Sequence, residues 1–255
     1  MVKHVETAVD AALQELERLD FLWGRIRLSK AVQSPNIKAD IRIEGHLVVF
    51  ANIELKLSRT SSRGSNVMGS LQQYCVLNQI LEFHSTMQTQ LKRLQSLRAF
   101  LAREHDELRV ADSPQCDVAY CVGVAKQTLD DLSMVCRDLR TAANVLRLPS
   151  RRRFPYSAYV DHSFKPTLPP EVVVDFSIHR GELLMETWGL ALTQKKFVGC
   201  VCSCRGQKVE IVDYASVSVS IPQLDEMLSH MEEQITWLVH IRDNVKALMA
   251  CQRNE

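Results

Sequence analysis

The sequence predicts an α+β protein: an elongated helical bundle formed by N-terminal, central and C-terminal helices, with a small antiparallel β subdomain built from two separated insertions. Three observations predict it. Apolar residues recur at spacings of three and four in four long stretches, which is the spacing of one helix face. In two other regions they fall on every second position, the period of a half-buried strand. Proline or small polar clusters stand where one period gives way to the other. On this reading residues 1-33, 67-147 and 222-255 form the bundle, 38-58 and 171-221 form the β subdomain, and 148-170 is a Pro/Arg-rich crossover.

The first seam is Val5, Val9, Ala12, Leu16, Leu19, Trp23 and Ile26. Ser34-Pro35-Asn36 closes it, because proline and the residue before it leave helical space. Ile41 and Ile43 then alternate with Asp40 and Arg42, Gly45 offers a turn, and Ala51, Ile53, Leu55 and Leu57 alternate with Asn52, Glu54 and Lys56. A hairpin is expected there, in the same sheet as the later strands. Arg59 to Asn66 is small and polar and reads as a loop. A phosphate-cradling loop needs a Gly-x4-Gly-Lys-Ser/Thr frame, and Gly64 stands without one.

From Val67 to about Leu108 a helical stripe runs through Leu71, Cys75, Leu77, Leu81, His84, Met87, Leu91, Leu94 and Leu101. Ser113-Pro114 breaks it. The next seam is the most regular: Val118, Val122, Ala125, Leu129, Leu132, Cys136, Leu139, Ala143 and Leu146. A fully buried Leu or Val is worth about 1.5–3 kcal/mol. Such seams therefore bury one another, or a partner's.

The clearest strands follow the crossover. Val172, Val174, Phe176 and Ile178 share one face, with Asp175 and Ser177 facing out. His179-Arg180-Gly181-Glu182 reads as a tight turn, from which Leu183 to Leu190 returns. A second hairpin follows, in which FVGCVC and KVEIV flank Cys204-Arg205-Gly206, and then Val217, Val219 and Ile221 alternate with Ser216, Ser218 and Ser220. Pro222 has no amide hydrogen to give a ladder, so it ends the last strand and suits a first helical turn. Leu224, Leu228, Met231, Ile235, Leu238, Ile241, Val245 and Leu248 then make the last seam.

These residues together resemble the Rogdi family, the small subunit of the RAVE/rabconnectin complex that promotes assembly of the vacuolar proton-pumping ATPase. A phenylalanine and a Leu-Pro pair precede a valine-rich strand in that family, here Phe164, Leu168, Pro169 and Val172 to Ile178. A Gly-x-basic-hydrophobic-Glu strand start and an Ile-Pro-x-Leu helix opening correspond to Gly206, Lys208, Val209, Glu210 and then Ile221, Pro222 and Leu224. The resemblance runs from about Phe164 to Val245, with a fainter echo at Ile43 to Leu57; the loop between Leu192 and Phe197 is short for the family. It implies a two-part form and a non-catalytic scaffold or adaptor. Its implied partners are the complex's large WD-repeat subunit and, through it, subunits of the pump's catalytic sector. It implies peripheral association with acidic endomembranes; the lack of a secretion signal or membrane span in the sequence predicts a cytoplasmic location, with a nuclear pool as the other one.

Composition agrees with a soluble globular chain: 255 residues, 46% hydrophobic and 24% charged. A formal net charge of +1 gives no global field to draw it to nucleic acid or an anionic membrane, so nucleic acid is disfavoured and membrane contact is peripheral only. No stretch reads as a secretion signal or a membrane span. The eight cysteines are then most simply reduced thiols.

No catalytic, cofactor-binding or metal signature is present, so no enzyme activity, cofactor or small-molecule substrate is expected. Cys200, Cys202 and Cys204 are spaced to share one strand face, whereas a zinc knuckle needs pairs that bend around the metal. His84, on a leucine seam, reads as a core or interface histidine. Arg151, Arg152 and Arg153, followed by Phe154, Tyr156 and Tyr159, form the one candidate partner-binding patch, since guanidinium pairs with carboxylate or phosphate. The alternative function is a coiled-coil interaction subunit of a tethering, cytoskeletal or kinetochore assembly, with the seams Val118–Leu146 and Leu224–Leu248 pairing outward.

Overall fold

The computed structural model describes residues 2–57, 66–110, 118–156, 164–192, 201–204 and 206–252. Among them lie four helices and two antiparallel sheets, a mixed α+β chain. The elements run α1 (Val2–Trp23), β1 (Arg27–Gln33), β2 (Ile37–Glu44), β3 (Leu47–Lys56), β4 (Asn66–Leu71), β5 (Cys75–Val76), α2 (Asn78–Val110), α3 (Val118–Arg147), β6 (Phe164–Lys165), β7 (Val172–His179), β8 (Glu182–Leu192), β9 (Val201–Cys204), β10 (Gln207–Ser220) and α4 (Pro222–Gln252).

The chain divides into two compact units. The first, Met1–Gly24, Glu82–Asn144 and Glu226–Glu255, is helical. Within it α1 and α2 run antiparallel, because Asp20 meets His84, Glu17 meets Gln95 and Asp10 meets Arg98. His84 also stacks on Trp23, ring centroids 4.1 Å apart, so the predicted interface histidine ties the end of α1 to α2. α2 and α3 are joined by Gln90 and Arg93 to Asp138, and by the Tyr120 hydroxyl, which donates to Glu104. That bond holds the phenol's proton and pushes the Tyr120 pKa well above its usual range.

The second unit, Arg25–Leu81 and Val145–Asp225, holds both sheets. One is ordered β1-β2-β3-β4-β6, with β5 also on β3; the other is ordered β7-β8-β10-β9. The expected single sheet is therefore two. The outer helical boundaries also change: residues 27–33 and 66–71 are strands, not helix. β1 is exposed along nearly its whole length, so it carries no alternation to read. β4 buries Val67, Gly69 and Leu71, and the glycine interrupts the apolar signal. Phe164 and Leu168 occupy the space beside Gly69 that a side chain would take.

The turns follow their glycines. Gly45 has φ 58° between β2 and β3, and Arg180 and Gly181 have φ 56° and 76° between β7 and β8. Pro222 opens α4 as expected. β7 departs from expectation on its second face: Ser177 is buried and Asp175 half-buried, so the strand is covered on both sides. The α2 seam is also displaced. Ile80, Phe83, Met87, Gln90, Leu94, Leu97, Leu101 and Glu104 are buried at spacings of three and four, while Leu81 is exposed. In α4 the inner seam ends at Met249, and Leu248 lies outside it.

Candidate partner-binding surfaces

The turn after α3 is shaped by its two ends. Pro149 cannot continue a helix, and the last carbonyls of α3 are taken from a distance: Gly181 N donates to Leu146 O at 3.1 Å and Arg180 N to Arg147 O at 3.3 Å. Gln79 adds Nε2 bonds to Val145 O, 2.7 Å, and Leu148 O, 3.2 Å. Downstream, Phe154 is buried with Val173, Trp188, Leu190, Cys204 and Val209, its ring edge-on to Trp188 at 5.1 Å. Its amide donates to Asp175 Oδ2 at 3.3 Å.

Between those anchors the three arginines divide. Arg151 and Arg152 are exposed. Arg153 turns inward, with Nη1 3.3 Å from Glu186 Oε2. Glu186 is only 2% exposed and accepts the Tyr214 hydroxyl at 2.7 Å. Burial pushes the Glu186 carboxyl up, and the Tyr214 bond and the Arg153 charge pull it partly back. Arg153 Nε and Glu186 Oε2 have no hydrogen-bond partner among the described residues, so the pair is held by charge more than by an ideal fork. The predicted patch is thus two exposed arginines beside a third that pairs internally. Sequence spacing gave no sign of this division, because Glu186 lies on a strand 33 residues on.

Arg180 was expected only as a turn residue. Its backbone bond to Arg147 brings an exposed guanidinium to the same end of α3. Burial first, then the charges of its neighbour Arg180 and of Arg153, lower the His179 pKa, against the Glu182 carboxylate, which raises it. Leu148 and Tyr156, 58% and 75% exposed, flank the arginines in the chain. Tyr159 lies outside the described residues.

A second surface belongs to the helical unit. α1 and α4 enclose a groove of about 510 Å³, to which α1 gives His4, Val5 and Ala8. From α4 come Trp237, Ile241, Asn244, Leu248 and Cys251, at spacings of four, three, four and three. None of the lining residues is Asp, Glu, Lys or Arg. Trp237 and Leu248 are 49% and 46% exposed, although apolar side chains of this size are usually buried. Leu248 was legible as a seam residue; Trp237 was not, because it belongs to a second stripe beside the buried one.

The cysteine face falls partly outside the described residues, Cys200 among them. Cys204 is buried in the Phe154–Trp188 cluster. Among the described residues no group of three or more His, Cys, Asp or Glu is placed to hold a metal ion, and no helix is long and apolar enough to cross a membrane.

A family model described as Rogdi leucine zipper containing protein matches residues 25–200. No curated protein matches the chain.

Proposed function

Since the chain belongs to the Rogdi leucine zipper family, we propose that it is a non-catalytic interaction subunit, an adaptor in the assembly of the vacuolar proton-pumping ATPase. In this reading the four helices form one elongated bundle, and the protein works in the cytoplasm at the surface of acidic endomembranes. Its partners are the large WD-repeat subunit of the RAVE/rabconnectin complex and, through it, the pump's catalytic sector.

The observation that carries the reading is the largely apolar groove of α1 and α4, whose lining holds no Asp, Glu, Lys or Arg. Trp237 and Leu248 stand half out of it, and an exposed tryptophan of this kind anchors protein interfaces. The occupant proposed is one amphipathic helix of the partner. The spacing along α4 is that of a helix-pairing stripe, and a largely apolar floor favours a segment whose buried face is apolar.

Co-purification of the tagged full chain from cytosol, followed by mass spectrometry, tests this. The expected result is recovery of a large WD-repeat protein with pump subunits, lost in Trp237→Glu/Leu248→Glu. Repeated recovery of a tethering, cytoskeletal or kinetochore coiled-coil assembly with no pump component would replace the adaptor reading with the alternative.

A further inference from the structure

The geometry points to the surface of Arg151, Arg152 and Arg180, with Leu148 and Tyr156 beside them, as a docking site for an acidic, leucine-bearing segment of a partner protein. This rests on the interaction-subunit reading but not on the groove.

Two sequence-distant stretches are pinned together here by backbone bonds from Arg180 and Gly181 to the last carbonyls of α3. The register of the arginine run is fixed as well. Arg153 is held inward by Glu186 and Phe154 is buried, so Arg151 and Arg152 are the two that face solvent. None of the guanidinium groups of Arg151, Arg152 and Arg180 has an ion-pair partner among the described residues. The Arg180 amide is tied to Arg147, four residues before Arg151, so three exposed arginines without an ion pair among the described residues lie at one end of α3, where an anionic ligand can pair with them.

The chemistry of the ligand follows from what surrounds the charge. Guanidinium pairs with carboxylates in a two-pronged geometry. Leu148 and Tyr156 add exposed apolar and aromatic area, which aliphatic side chains cover. The net charge of +1 leaves a local patch, and a polyanion such as nucleic acid draws on a wider field. A peptide that alternates carboxylates with leucine matches both features.

The test is fluorescence anisotropy with the full chain and a synthetic Glu-rich peptide carrying leucines four residues apart. Peptides with Gln or Lys in place of Glu serve as controls. The Glu peptide should bind, with affinity falling as salt rises. Changing Arg151→Ser, Arg152→Ser and Arg180→Asn together should weaken it about tenfold. Asn is chosen at 180 because it tolerates positive φ. The Arg151→Ser/Arg152→Ser variant leaves the turn untouched and should give an intermediate loss. Trp237→Glu should bind the peptide like the wild type, which separates this surface from the groove. Equal binding of the Gln peptide, or no loss in either arginine variant, overturns the proposal. So does binding of phosphatidylserine vesicles or single-stranded RNA as tight as that of the Glu peptide.

Discussion

The side-chain amide of Gln79 is bonded to the backbone of Ile178 on both sides: Nε2 donates to Ile178 O at 2.6 Å, and Oε1 accepts from Ile178 N at 2.7 Å. β7 is an edge strand, so Ile178 has a free side in the ladder, and one glutamine at the start of α2 satisfies it. The same nitrogen reaches two carbonyls at the end of α3. A single buried amide therefore serves a strand edge and a helix terminus together.

Gln79→Ala should destabilise the protein by about 3 kcal/mol, because each buried backbone group left without a partner costs about 1–3 kcal/mol. Gln79→Glu should be at least as harmful, since it keeps an acceptor for Ile178 N but sets a carboxylate against three carbonyls. Urea denaturation monitored by circular dichroism measures both. A change below about 0.5 kcal/mol, the range of ordinary surface substitutions, would refute the role given to this amide.

Arg153→Ala should cost about 3 kcal/mol at neutral pH, by leaving the Glu186 carboxylate buried and unpaired. The cost should shrink as pH falls and Glu186 takes a proton. Burial raises the Glu186 carboxyl above its ordinary range. Above the ordinary value of 4.5 the folded chain holds this proton where the unfolded chain has lost it, so stability falls as pH rises through the folded value. Glu186→Gln should therefore match or exceed the wild type at pH 7 and lose that advantage near pH 4.5. Denaturation midpoints across this range decide it.

Gly69→Val should lose about 1–3 kcal/mol by overpacking. A Cβ there would lie 3.1 Å from Leu168 Cδ2 and 3.2 Å from Phe164 Cδ1. Adding Leu168→Ala should recover part of the loss if the clash is its cause. A thermal melt of the single and double variants checks both statements.

Leu132→Glu and Trp237→Glu should behave in opposite ways. Leu132 is fully buried, and a charge at such a site costs several kcal/mol, so the helical signal should collapse. Trp237 is half-exposed, and its change should move stability by about 0.5 kcal/mol or less. If Leu132→Glu stays folded, the α3 seam is an outward surface and the coiled-coil alternative gains.

Much of the fold was legible because period and punctuation agreed. The β7–β8 hairpin announces itself through Val172 to Ile178 and Gly181, α4 through Pro222, and α3 through a seam in which Ala125, Leu132, Cys136, Leu139, Ala143 and Leu146 are all buried. What was missed lacks an apolar signal of its own. β1 exposes nearly everything, and β4 puts a glycine where a side chain was expected. Gln90 and Glu104 hide the true α2 seam because polar residues occupy core positions, each satisfied by a neighbour that only the fold supplies. The surfaces were half legible. Arg151 and Arg152 stood out as charge, whereas the inward turn of Arg153 and the arrival of Arg180 depend on contacts between distant strands and helices.

Hairpin tips are ordinarily the places where a chain accepts inserted residues. The tip at Arg180 and Gly181 is not such a place, since its two amides close the end of a helix more than thirty residues upstream. An epitope tag or fluorescent label spliced between them would uncork α3 at Leu146 and Arg147 while leaving every residue of that helix unchanged. Damage from a lengthened turn would thus surface in a different element from the one edited, and a labelling strategy for this protein should leave that tip alone.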